Sequence, residues 1–125
     1  MLKRPRIIAV DFDGTLCGNM YPSIGGPNEA LIAWLRAERE HGTRIILWTC
    51  RTGELLTKAI DWSRRRGLEF DAVNDNLPWM VARFHGENPR KIYADIYIDD
   101  HSYGIKDIFE QPYISTTIEE ESDNG

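Results

Sequence analysis

The segment Asp11-Phe12-Asp13-Gly14-Thr15 constrains this chain more than any other. It follows Ile7-Ile8-Ala9-Val10, an apolar run that reads as a buried strand. Carboxylates two positions apart at a strand end face the same way. Like charges held that close repel unless a cation lies between them or one keeps its proton. A hard divalent cation such as Mg2+ resolves the conflict, taking one or two carboxylates and keeping positions for waters and phosphate oxygens. Gly14 lets the chain turn sharply, and Thr15 can bond back into the turn. Two roles suit the pair: one carboxylate attacks phosphorus and becomes an aspartyl phosphate, the other serves as acid and base. A bare DxD is more simply a solvated acidic turn; the strand ahead and the Gly-Thr behind reverse that preference. A calcium-binding hand fits poorly, because that loop wants Gly at its sixth position and Glu at its twelfth. Here Gly14 comes fourth from Asp11 and Pro22 stands twelfth.

Behind this segment, Leu16 to Pro27 is rich in Gly, Pro, Ser and Asn and reads as a loop or small flap, with Met20 and Tyr21 as substrate contacts or as a lid on the core. Asn28 to His41 reads as a helix with Asn28 as N-cap, an apolar face of Leu31, Ile32 and Leu35, and a stop at His41-Gly42. Arg44 to Thr49 is a second strand, apolar throughout Ile45-Ile46-Leu47-Trp48 and so covered on both faces. It runs into Thr49-Cys50-Arg51-Thr52-Gly53. A hydroxyl at a strand end, followed by a turn into a helix, can cradle phosphate oxygens. Taken alone, Thr49 is more simply a plain helix-cap hydroxyl, and Arg51 is either a phosphate contact or a surface arginine. Cys50 lies between them and joins the candidate phosphate-binding residues.

Glu54 to Arg66 reads as the next helix. Its Arg64-Arg65-Arg66 end is more simply a cationic helix C-terminus than a nucleic-acid patch. Leu68 to Val73 is a short third strand. Asn74-Asp75-Asn76-Leu77-Pro78 is a loop whose asparagines are turn formers or substrate readers. Trp79 to Phe84 is a candidate short helix. Ile92 to Ile98 reads as a further strand, preceded by Lys91 and ending in Asp99-Asp100. That ending echoes strand one and makes Asp99 a candidate metal ligand, with Asp100 completing the coordination or orienting its neighbour. Asp95, inside the strand, has a partner in Lys91 or an arginine, or faces solvent. His101 directly follows the acids and is given no role.

Strands and helices in this order give an α/β fold with a parallel sheet. At 125 residues the chain makes one domain, placed at 1–114, before an acidic, frayed tail at 115–125. A net charge of -5 argues against a general nucleic-acid-binding surface. Two sparse cysteines, no signal-peptide core and no apolar run of spanning length lead to the expectation of a cytoplasmic protein with no membrane partner.

Four motifs together resemble the haloacid dehalogenase (HAD) superfamily of phosphatases: DFDGT after strand one, Ile-Ile-Leu-Trp-Thr at strand two, Lys91, and Ile-Asp-Asp at the last strand. They span residues 11 to 100. The resemblance implies a Rossmann-like three-layer sandwich around a central parallel sheet. It implies a Mg2+-dependent phosphohydrolase acting on a phosphate monoester through an aspartyl phosphate. Asp11 would be nucleophile and metal ligand. Asp13 would be acid and base, lending its backbone carbonyl to the metal. Thr49 and Lys91 would hold the phosphoryl group, and Asp99 would complete the metal site. Family members with a cap domain carry it after the flap or between the second and third motifs; neither stretch has room here, so this looks like a capless member. An open site favours a macromolecular or nucleotide-like substrate, or a homo-oligomer, that excludes water. A phosphotransferase using the same intermediate, or a non-catalytic phospholigand-binding domain, are the alternative readings.

Overall fold

In the computed structural model the described residues are 4–102, 104 and 105. The expectation of a frayed tail at 115–125 lies outside them. The β-branched run Ile7–Val10 forms β1, entirely buried. Glu29–Glu40 forms α1, and Asn28 caps it as its position suggests, its side chain accepting a hydrogen bond from Leu31 N–H. Arg44–Leu47 forms β2, Gly53–Arg65 forms α2, Ala72–Val73 forms β3, Pro78–Arg83 forms α3 and Ile96–Ile98 forms β4. All four strands run parallel in the order β3-β2-β1-β4. The fold is therefore α/β, with a small all-parallel sheet and helices.

Strand alternation divides the apolar residues between the two faces. Ile8, Val10, Ile45 and Leu47 pack with Ile32 and Leu35 of α1 and Ala59 of α2. Ile7, Ala9 and Ile46 pack with Met80 of α3 and with Leu77, Ile92 and Ala94. Cores on both faces account for the continuous apolar runs of β1 and β2. Among the described residues no helix is long and apolar enough to cross a membrane.

The edge strands are shorter than their sequences predict. Leu68 to Val73 yields only Ala72–Val73, and Ile92 to Ile98 yields only Ile96–Ile98. One device explains both. Asp71 donates its N–H to Ile45 O and takes Ile45 N–H on its carboxylate, at 2.8 Å each. Asp95 does the same with Ile7, again at 2.8 Å for both bonds. A side chain thus replaces the ladder where the strand would otherwise have continued. Each carboxylate is also held by an arginine, Arg39 for Asp71 and Arg4 for Asp95. Arg4 and the Ile7 N–H hold the Asp95 carboxyl down at about 2. This answers the open question of Asp95: its partner is Arg4, not Lys91.

Candidate active site

The chain runs from β1 to β2 and β3 on one side, then crosses to β4 on the other. The gap between β1 and β4 is thus a topological switch point, and in open parallel sheets the crevice outside the strand ends at that point is where ligands bind. Asp11 leaves β1 there, its N–H donating to Ile98 O of β4 at 2.9 Å. Asp99 and Asp100 leave β4 beside it.

Two further links tie the two acidic segments together, and His101 braces the second of them. Asp100 N–H donates to Thr15 Oγ1 at 3.3 Å. The Asp100 carboxylate lies over Gly14, where an added Cβ would meet Oδ2 at 2.3 Å, and Gly14 has φ +83°. Only glycine leaves that space and adopts that backbone without strain. His101 N–H donates to Asp99 Oδ1 at 2.8 Å, and His101 Nε2 lies 3.6 Å from Asp100 Oδ2. Asp99, Asp100 and His101 each place one ligand atom within 4.8 Å of the others.

Electrostatics give the same picture of Asp11. Burial, together with the charges of Asp99, Asp100 and Asp13, pushes its carboxyl up to about 6, against the pull of its hydrogen bond with Phe12 N–H. A half-buried acid in the field of three other carboxylates is a poor place for a proton-free anion and a good place for a hard cation. The donors are all oxygens except the exposed His101 ring, which suits Mg2+. Asp99 and Asp100 are the residues that would hold it, with Asp11, outside that cluster of ligand atoms but within the field of both, as the further candidate.

Asp13 faces a different neighbour. Arg51 clasps it with both forks, Nε to Oδ2 at 2.8 Å and Nη2 to Oδ1 at 2.7 Å. The Arg51 side chain is 1% exposed. Its remaining N–H groups donate to Pro22 O, Ser23 O and Leu55 O, and its guanidinium lies between the Phe12 and Tyr21 rings at 5.0 and 5.2 Å. The guanidinium is therefore neither on the surface nor turned toward a phosphate, the two placements its sequence suggested. It anchors Asp13 and straps down the flap. Nothing local in the sequence signals this, because Asp13 and the flap carbonyls lie 28 to 38 residues away and only Leu55 is near in the chain.

Thr49 acts in the turn: its Oγ1 accepts from Arg51 N–H at 3.1 Å and its N–H donates to Asn74 Oδ1 at 2.8 Å. Cys50 is exposed and both cysteines are free thiols. Asn74, at φ +53°, and the buried Asn76 are turn formers rather than surface readers. Asn76 braces the loop that carries Lys91, donating to Asn88 Oδ1 and Pro89 O and accepting from Tyr93 N–H. Lys91 is exposed and lines one cavity with Asp99 and Trp48. Trp48 and Tyr97, which also line it, had no part in the sequence reading of the site.

No family model matches the chain, and no curated protein matches it. Among solved structures it is similar to that of a conserved protein coded by a locus of Bacteroides thetaiotaomicron, at 42% identity and a TM-score of 0.70, over 79% of this chain and 78% of that one. The chain belongs to that conserved protein's family. Identity at this level over most of both chains means a shared fold and a shared ancestry. The relative is described only as conserved, so membership of its family assigns no activity.

Proposed function

We propose that the protein is a Mg2+-dependent phosphohydrolase of the HAD type, with a Rossmann-like capless domain, acting in a reducing compartment such as the cytoplasm. One observation supports this above the rest: Asp11 leaves β1 beside the end of β4, within the field of Asp99 and Asp100 at the switch point of the sheet, with Asp13 clasped separately two residues along. A purely structural acidic turn has no need of four carboxylates from two distant strands.

Asp11 attacks phosphorus; the new O–P bond forms as the ester P–O bond breaks, leaving an aspartyl phosphate. Asp13 supplies the proton that the leaving oxygen takes up. In the second half Asp13 takes a proton from water as its oxygen attacks phosphorus, and Asp11 is released with inorganic phosphate. Arg51 clasps both oxygens of the Asp13 carboxylate, the form that takes the proton from water; in the first half one fork lets go of the oxygen that carries and delivers the proton. Thr49 and Lys91 provide a hydroxyl and an ammonium for phosphoryl oxygens. Mg2+, when bound, supplies charge compensation for those oxygens.

The test is phosphate release from an aryl phosphate with Mg2+, followed by a panel of sugar phosphates, nucleotides and phosphopeptides. Wild-type protein should turn over at least one of them and Asp11→Asn none. Turnover that survives in Asp11→Asn removes the nucleophile assignment; a silent panel removes the activity. Product analysis with an added alcohol acceptor separates hydrolysis from phosphotransfer.

A further inference from the structure

The cavity beside Asp99 has features that phosphoryl chemistry alone does not require. Its volume is about 660 Å³, within the range of small-molecule sites. Asp99 and Lys91 contribute charge, Ala9 and Ile92 an apolar floor, and Trp48 and Tyr97 two aromatic rings. Asp11 N–H donates to Ile98 O, and Ile98 and Asp99 line the cavity, so the cavity lies beside the strand end that Asp11 leaves.

Both rings are unusually placed. Trp48 follows three fully buried residues of β2 and its N–H continues the ladder to Val10 O at 2.9 Å, yet it is 36% exposed. Tyr97 is 42% exposed, but its hydroxyl donates to Ile92 O at 2.6 Å and accepts from Ala94 N–H at 3.2 Å. A ring tied at its tip is a rigid wall that loses little freedom on binding. Lys91 Nζ stands 5.8 Å from the Tyr97 ring centre. Exposed aromatic faces beside an ammonium suit a planar ring attached to an anion. A short polyol such as glycerol has no flat face to lay on either ring.

We infer that this cavity is the leaving-group subsite, and that it takes a planar aromatic or heteroaromatic ring borne by the phosphate monoester, stacked on Trp48. This rests on the phosphatase reading and narrows its substrate class. Nucleoside monophosphates and simple aryl phosphates share the required chemistry; glycerol phosphate does not.

The experiment compares kcat/KM for a nucleoside 5′-monophosphate, phenyl phosphate and glycerol phosphate in wild type, Trp48→Leu and Trp48→Phe. Wild type should favour an aromatic substrate over glycerol phosphate. That ratio should fall about 10- to 100-fold in Trp48→Leu, the loss of one ring–ring stack, and largely return in Trp48→Phe. A preference for the nucleotide alone identifies a nucleobase as the ring. A wild-type ratio near one, or a ratio unmoved by Trp48→Leu, overturns the inference. Binding supplies an arm independent of turnover: the parent nucleoside and phenol are titrated against Asp11→Asn by ligand-observed NMR. Binding lost when Trp48→Leu is added supports the subsite even if no phosphate is released. Absent binding, or binding indifferent to Trp48→Leu in a variant that still melts cooperatively, sinks the subsite while leaving the phosphatase reading standing.

Discussion

Removing the charge of Asp11 should make the metal-free protein more stable while removing its activity. Raising a carboxyl from 3.8 to about 6 costs the ionised form about 3 kcal/mol, at 1.36 kcal/mol per tenfold change in acidity. Asp11 is part exposed, so solvent screening reduces this to about 1–2 kcal/mol. The sign follows from proton uptake. The folded state holds the Asp11 proton more tightly than the unfolded chain does. That contribution is complete below 3.8 and is lost as pH rises through about 6. At pH 7.5 without metal, Asp11→Asn should therefore melt about 4–8 °C above wild type. The gap should close as pH falls toward 4, where wild-type Asp11 carries its own proton. Saturating Mg2+ should reverse the order, because it binds the folded wild type and raises its stability by mass action. Thermal melts in chelator and in Mg2+, at pH 4, 6 and 7.5, read out all three expectations. An Asp11→Asn variant that is no more stable than wild type in chelator at pH 7.5 would refute the account of Asp11 as a strained, cation-seeking acid.

Three further outcomes are expected. Arg51→Met keeps bulk but leaves Asp13 unpaired, and should cost about 3–5 kcal/mol in urea unfolding while lowering phosphate release; a near-neutral result contradicts the anchoring role. Gly14→Ala places a methyl 2.3 Å from Asp100 Oδ2 at φ +83°, and should cost about 1–3 kcal/mol and weaken Mg2+ binding in calorimetry; unchanged affinity argues against Asp100 as a ligand. Asp95→Asn should cost about 1 kcal/mol at pH 7, after allowing for the exposure of the Arg4 pair. Because the Asp95 carboxyl sits at about 2, its contribution is present above 3.8 and is lost as pH falls toward 2, so the two proteins should converge in acid.

Apolar periodicity and local turn chemistry were legible from sequence. The four residues of β1, the Asn28 cap and the bounds of α1 and α2 to within a residue or so follow from side chains near in the chain. The edge strands were overestimated because Leu68 to Val73 and Ile92 to Ile98 look like strands by composition. Only the folded sheet shows Asp71 and Asp95 taking over the ladder. Arg51 was illegible for the same reason. Its environment is assembled from Phe12, Asp13 and a flap 28 residues back, and no local pattern marks a guanidinium destined for burial. The acids themselves were legible because an apolar strand ending in paired carboxylates has few innocent explanations, and here it occurs twice.

The clip between Asp95 and Ile7 has a reach beyond stability. A three-residue edge strand has too few bonds to choose its own alignment, and a slip of one position would turn every side chain to the opposite face. Asp95 grips β1 at its entrance, and Asp99 stands four residues further along the same rod, roughly 13 Å away at the rise of an extended chain. The carboxylate by the chain's beginning thus serves as a ruler's zero mark. It sets the height at which the far end delivers its acids beside Asp11, so tolerance at the acidic end is decided at the other rim of the sheet.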